Sequence, residues 1–169
     1  GTGFLPGGTG WYRKTFKLPE DTAGKRVFLR FEGVYRNSTV WINGKLLGER
    51  PHGYIDFEYD LTPHLNQPGA DNTVAVKVSR EEVADSRWYP GTGIYRDVWL
   101  RRTAAVSIAA VKVETPDALA AHKTVLARAK LANPRGLAFA GQLTATLSDA
   151  AGTVVATASQ PAADEVSFR

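Results

Sequence analysis

The sequence predicts an all-β chain, a β-sandwich or jelly roll, and three observations carry that reading. Its apolar residues recur with a period of two almost throughout. Turn-forming residues punctuate them at intervals of about 8–12 residues. Helical periodicity is nearly absent.

The elements follow in order. Val27, Leu29 and Phe31 alternate with Phe28, Arg30 and Glu32, as in a strand with one face buried. Val40-Trp41-Ile42 runs into Asn43-Gly44 and then Lys45-Leu46-Leu47. Asn-Gly readily takes the two positive-φ positions of a type I′ turn, so a two-residue hairpin is expected, with Trp41 on the opposite side from Val40 and Ile42. Ile55, Phe57 and Tyr59 alternate with Asp56, Glu58 and Asp60. Thr62-Pro63-His64-Leu65 reads as one helical turn, Thr62 its N-cap and Pro63 its first residue. Val74, Val76 and Val78 form a further strand. Ile94, Val98 and Leu100 share a face with Arg96, and Val125, Ala127, Ala129 and Leu131 repeat the alternation. Asp149 to Gly152 joins Leu147 to Val154 as a looser hairpin. Pro116 to His122 carries the only other hint of helix.

A composition step near residue 103 suggests two units, 1–103 and 104–169. All four tryptophans and all six tyrosines precede it, and alanine dominates after it. The second unit shows five strands, at 105–114, 123–132, 141–148, 153–159 and 165–169. An immunoglobulin-like sandwich usually needs about 100 residues and seven strands, so this unit is expected to be incomplete. An unpaired terminal edge there, with Val166 and Phe168 uncovered, would favour edge-to-edge self-association.

Composition also narrows the chemistry. The absence of cysteine excludes disulfides, Cys-ligated zinc and a thiol nucleophile, and leaves the redox compartment open. The net charge is +4, but the cations are scattered, with Arg101-Arg102 a typical run, so nucleic acid is not an expected partner. No apolar run approaches the ~20 residues that span a bilayer, so no membrane partner is expected either. His52, His64 and His122 stand far apart without metal-ligand spacing, and neither metal nor cofactor is expected. The opening glycines lack the lysine of a phosphate-binding loop. Asn37-Ser38-Thr39 matches the glycosylation triplet at a strand entry.

One segment concentrates polar and aromatic chemistry: Asp85-Ser86-Arg87-Trp88-Tyr89-Pro90-Gly91-Thr92-Gly93-Ile94-Tyr95-Arg96-Asp97-Val98-Trp99-Leu100. Flat aromatic faces suit the C–H faces of sugars, and Asp and Arg hydrogen-bond hydroxyls. Equally, Trp88 and Tyr89 could plug the end of the sandwich, since tryptophan is mostly buried.

This segment resembles the end of the N-terminal domain of family 2 glycoside hydrolases, the β-galactosidase, β-glucuronidase and β-mannosidase group. Other stretches agree in order: Gly10-Trp11-Tyr12-Arg13-Lys14-Thr15-Phe16, then Phe31-Glu32-Gly33-Val34-Tyr35-Arg36-Asn37-Ser38-Thr39-Val40-Trp41-Ile42-Asn43-Gly44, then Gly53-Tyr54, Phe57 to Leu65 and Asn72 to Val78. The match spans residues 10–102, and 104–169 resemble the start of the immunoglobulin-like second domain.

The resemblance implies a sugar-binding jelly roll at 1–103 and an incomplete immunoglobulin-like sandwich at 104–169. It implies a fragment of a longer retaining glycosidase whose (β/α)₈ barrel supplies both catalytic glutamates. The chain itself is then non-catalytic, its partners the missing barrel and, weakly, carbohydrate. A periplasmic or secreted parent is favoured over a cytoplasmic one. The site residues carried over are Asp85 and Arg87 at the pocket rim, with Trp88 and Tyr89 shaping it. In related β-galactosidases an acid close before this Trp helps hold the sugar or a cation; the nearest acid here is Asp85, and Ser86 takes the place if the family position lies one residue nearer Trp88. A free-standing carbohydrate-binding module and a purely structural domain are the alternatives.

Overall fold

The computed structural model describes residues 8–81, 91–134 and 136–169. The chain is all-β and divides into two compact units, Gly1–Thr103 and Ala104–Arg169.

The strands of the first unit are β1 (Thr9–Lys17), β2 (Arg26–Phe31), β3 (Val34–Tyr35), β4 (Ser38–Ile42), β5 (Lys45–Arg50), β6 (Phe57–Asp60), β7 (Asp71–Ser79), β8 (Gly93–Ile94) and β9 (Val98–Thr103). They form a sandwich of a four-stranded sheet, β1-β7-β4-β5, and a three-stranded sheet, β6-β2-β9, with β3-β8 as a short ribbon. All pairings are antiparallel. The period-two pattern explains the layers. Val40, Ile42, Val76 and Val78 point inward from one sheet, and Val27, Leu29, Phe31, Phe57 and Tyr59 from the other. Phe31 stacks on Phe57 at 5.0 Å. Burying a side chain of this size contributes about 1.5–3 kcal/mol, so these residues dominate the unit's stability. Phe28 points outward yet is buried, because the guanidiniums of Arg26 and Arg101 cover its ring at 4.5 and 4.6 Å. Glu58 and Asp60 hold those arginines from the neighbouring strand.

The β4-β5 hairpin has the expected turn, with Asn43 at φ 48° and Gly44 at φ 79°. Trp41 faces away from the fully buried Val40 and Ile42.

Four local expectations are corrected. The helical turn is a 3₁₀ turn, Thr62–His64, and Thr62 does not cap it. Its hydroxyl instead accepts the Val27 amide at 3.0 Å, while the Asp60 carboxylate takes the Thr62 amide at 2.9 Å. Ile55 lies in a bend and is exposed, because the strand starts only at Phe57. Ile94 and Val98 belong to different sheets, the chain breaking between β8 and β9. Pro116 to His122 forms turns without helix.

The second unit comprises β10 (Ser107–Glu114), β11 (Leu126–Ala132), β12 (Gln142–Ser148), β13 (Val154–Pro161) and β14 (Glu165–Phe168). A three-stranded sheet, β10-β11-β14, accompanies the hairpin β12-β13. Asp149 closes that hairpin, its carboxylate accepting the amides of Ala151 and Thr153 at 2.9 and 2.8 Å. Val166 and Phe168 are buried, contrary to expectation, at 5% and 7% exposure. Pairing with β11 places them on the same inner face as Ala129. The uncovered apolar residues instead include Ile108, Val111, Val113, Val154 and Val155.

Candidate functional site

One end of the first unit gathers tyrosines and arginines from four separate segments. The ribbon β3-β8 organises it, pairing Tyr35 with Gly93 and Val34 with Ile94. Residues flanking the 82–90 segment are anchored here. The Ser79 amide donates to the Asn37 carbonyl at 3.3 Å, and the Asn37 side chain donates to the Ser79 carbonyl at 3.3 Å. Asn37 sits at φ 48°, a conformation asparagine tolerates better than most residues.

Small residues let the tyrosine rings lie flat on the backbone. A Cβ on Gly33 would stand 2.5 Å from the Tyr95 ring, and one on Gly53 would overlap the Tyr35 ring. Tyr95 is thereby held with its hydroxyl donating to the Gly53 carbonyl at 2.8 Å. Tyr35 is buried and meets the exposed Tyr54 ring at 5.3 Å. His52 contacts Tyr54 edge-on at 5.9 Å, and its Nδ1 accepts the Tyr54 amide at 3.1 Å. Arg96 lies over the Tyr95 ring at 5.5 Å and Arg80 over Tyr35 at 6.0 Å. The result is an exposed edge of Tyr54 and Tyr95 beside the guanidiniums of Arg80 and Arg96. Beside it runs a polar groove of about 480 Å³, lined by Asn37, Glu49, Arg50, Lys77, Ser79 and Glu81. Donors and acceptors alternate there, which suits a polyhydroxylated ligand.

Asp85, Arg87, Trp88 and Tyr89, and Ser86 with them, lie outside the described residues. Tyr35, Tyr54, Arg80 and Tyr95 were not singled out as site residues by the sequence. The usable signal was the pairing of Gly33, Gly53 and Gly93 with nearby tyrosines.

Among the described residues, the carboxylates in ion pairs meet cations rather than each other. Lys25 and Arg102 hold Asp21 below the usual carboxylate range, and Lys112, with Arg128, does the same to Glu114. Burial raises the Asp60 carboxyl, but hydrogen bonds from Thr62 and Arg26 outweigh it and the net direction is down. No group of three or more His, Cys, Asp or Glu suited to a metal ion occurs among the described residues.

Residues 5–104 match the model of the sugar-binding domain of glycosyl hydrolases family 2. The chain belongs to that family. Family 2 relatives include the β-galactosidase BoGH2A of Bacteroides ovatus, 54% identical over 110 residues, which cover 64% of this chain and 13% of the relative. A β-galactosidase of Rhizobium meliloti is 44% identical over 111 residues, covering 62% of this chain and 14% of the relative. A β-glucuronidase of Formosa agariphila is 46% identical over 105 residues, covering 55% and 11%. Among solved structures, a family 2 member from Bacteroides cellulosilyticus superposes with a TM-score of 0.87 at 32% identity, covering 99% of this chain and 24% of that one. A family 2 β-glucuronidase gives 0.86 at 31% identity, covering 96% and 20%. The chain thus spans 10–15% of the curated relatives it matches and 20–27% of the solved chains.

Proposed function

We propose that this chain is the non-catalytic N-terminal region of a retaining, β-galactosidase-like family 2 glycosidase. In this reading residues 1–103 are its sugar-binding jelly roll and 104–169 its immunoglobulin-like linker domain. The tyrosine-rich end, with Asp85, Arg87, Trp88 and Tyr89 on the adjoining segment, completes the rim of a pocket in a catalytic barrel carried elsewhere in the longer protein. The carrying observation is the convergence of Tyr35, Tyr54 and Tyr95 with both anchors of the 82–90 segment at one end of the sandwich. The small share of each relative that the chain spans supports a division of labour with a barrel. Retaining hydrolysis requires two carboxyl groups about 5–5.5 Å apart, and the reading assigns both to that barrel.

The test is direct. The 169-residue chain should leave nitrophenyl β-galactoside, β-glucuronide and β-mannoside unhydrolysed. Turnover that disappears on mutating one of the chain's own Asp or Glu residues would overturn the reading.

A further inference from the structure

We infer that the outer face of the β1-β7-β4-β5 sheet is a second carbohydrate-contact surface, built on Trp11 and Trp41 and suited to a neutral pyranose unit of a glycan chain. It lies on a sheet face rather than at the tyrosine-rich end, and it does not depend on the function proposed above.

Register builds the platform. On β1, Trp11, Arg13 and Thr15 alternate with Tyr12 and Lys14, so they share one face. Arg13 stands opposite Ala75 on β7, and Ala75 opposite Trp41 on β4. The small alanine on β7 leaves space between β1 and β4. Across it the indoles of Trp11 and Trp41 stack at 5.4 Å with an interplanar angle of 24°. Trp11 nonetheless remains 62% exposed. An indole held in water forgoes the gain of burial, and the stack leaves much of Trp11 open.

A trough of about 580 Å³ adjoins the indoles, with Ala75 and Thr73 among the residues lining it. That lies within the roughly 300–1,000 Å³ of small-ligand sites. Its polar groups divide into two sets. Asn43 and Asn66 are already committed to structure, Asn43 bonding His64, Asn72 and Thr73, and Asn66 the Asp71 carbonyl. Among the described residues the Arg13 side chain has no hydrogen bond or ion pair, and the Asp71 carboxylate meets only Lys17, at 3.8 Å. The hydroxyls of Thr15 and Thr73, 3.0 Å apart, retain further capacity.

This inventory selects the ligand. A flat aromatic surface takes the C–H face of a pyranose ring. Arg13 donates to its hydroxyl oxygens, and Asp71 accepts from its hydroxyl hydrogens. Because a cation and an anion line the same trough, a neutral sugar satisfies both, whereas a uronate would face Asp71. A protein partner fits less well, since interface cores are depleted of charge, and here charged and polar side chains adjoin the indoles directly.

The experiment titrates the whole chain with neutral β-1,4-linked hexasaccharides of galactose, glucose and xylose, and with an acidic galacturonate hexasaccharide. Binding is read by amide and indole chemical-shift changes. At least one neutral probe should bind with a Kd of about 0.1–1 mM, moving the Trp11 and Trp41 indole signals. Trp11→Ala should weaken it at least tenfold and Arg13→Ala several-fold with both variants still folded, and Leu119→Ala, exposed in the second unit, should have no effect. No neutral probe bound at 10 mM would overturn the inference. So would shifts confined to Tyr54 and Tyr95, which would leave the proposed pocket rim standing. If Trp11→Ala fails to fold, the wild-type shift map decides alone. Concentration-dependent dimerisation through the Trp11 face would assign that face to a second copy and refute the carbohydrate reading.

Discussion

Asn43 is the residue whose removal tests the first unit's architecture most sharply. Its side-chain nitrogen donates to the His64 carbonyl at 2.9 Å and to Asn72 Oδ1 at 2.8 Å. Its oxygen accepts the Thr73 amide at 2.8 Å. One side chain therefore ties the β4-β5 turn to β7 and to the 3₁₀ turn. The Asn72 it reaches is fully buried. Asn43→Ala removes three hydrogen bonds worth about 1 kcal/mol each. It also places alanine at φ 48°, at a cost of about 1 kcal/mol. The loss should approach about 4 kcal/mol, which for a unit of this size lowers the melting temperature by roughly 15 °C or more. Tryptophan fluorescence is the assay, since all four tryptophans lie before residue 103 and report that unit alone. Asn43→Gly should recover about 1 kcal/mol by relieving the backbone, without restoring the bonds. A fall below about 4 °C for Asn43→Ala, or a glycine variant as stable as wild type, would refute the reasoning.

Tyr59 carries a buried hydroxyl with no hydrogen-bond partner among the described residues, and burial pushes its pKa up. Tyr59→Phe should raise the fluorescence-monitored stability by about 1 kcal/mol, and a loss of that size would count against an unpaired hydroxyl. Asp60, its folded pKa depressed, contributes stability that is present above the unfolded carboxylate value near 3.9 and lost as pH falls through the folded one. The gap between wild type and Asp60→Asn should therefore be fullest above the unfolded carboxylate value and close as pH falls through the depressed folded one, and a gap that widens on acidification contradicts the sign. Its size should stay under about 1 kcal/mol, because both partners meet solvent. The second unit buries few apolar residues and exposes Val111, Val113, Val154 and Val155. We expect it to melt first and to self-associate in a sedimentation series, and a monomer at millimolar concentration would refute this.

The strands were legible where burial is one-sided. Val27-Leu29-Phe31 and Val74-Val76-Val78 show their inner face directly as period two. The Asn43-Gly44 turn was legible because its chemistry is local. What escaped was set by tertiary contacts. Thr62 has the composition of a cap, but its hydroxyl is claimed by the Val27 amide from another strand. Ile94 and Val98 keep strand periodicity across a break, because each pairs with a different partner, β3 and β2. Phe28 looked solvent-facing until Arg26 and Arg101 closed over it. The tyrosine-rich end escaped for the same reason. Tyr35, Tyr54 and Tyr95 are distant in sequence, and only the ribbon β3-β8 and the bare backbone at Gly33 and Gly53 bring them together.

In the proposed function this chain shapes a pocket whose catalytic groups lie on another part of the same polypeptide. Reading the native gene downstream of the Arg169 codon tests it most directly. The expected result is an open frame that continues into a (β/α)₈ barrel bearing two glutamates at strand ends. A stop codon directly after Arg169 in the native gene would contradict it.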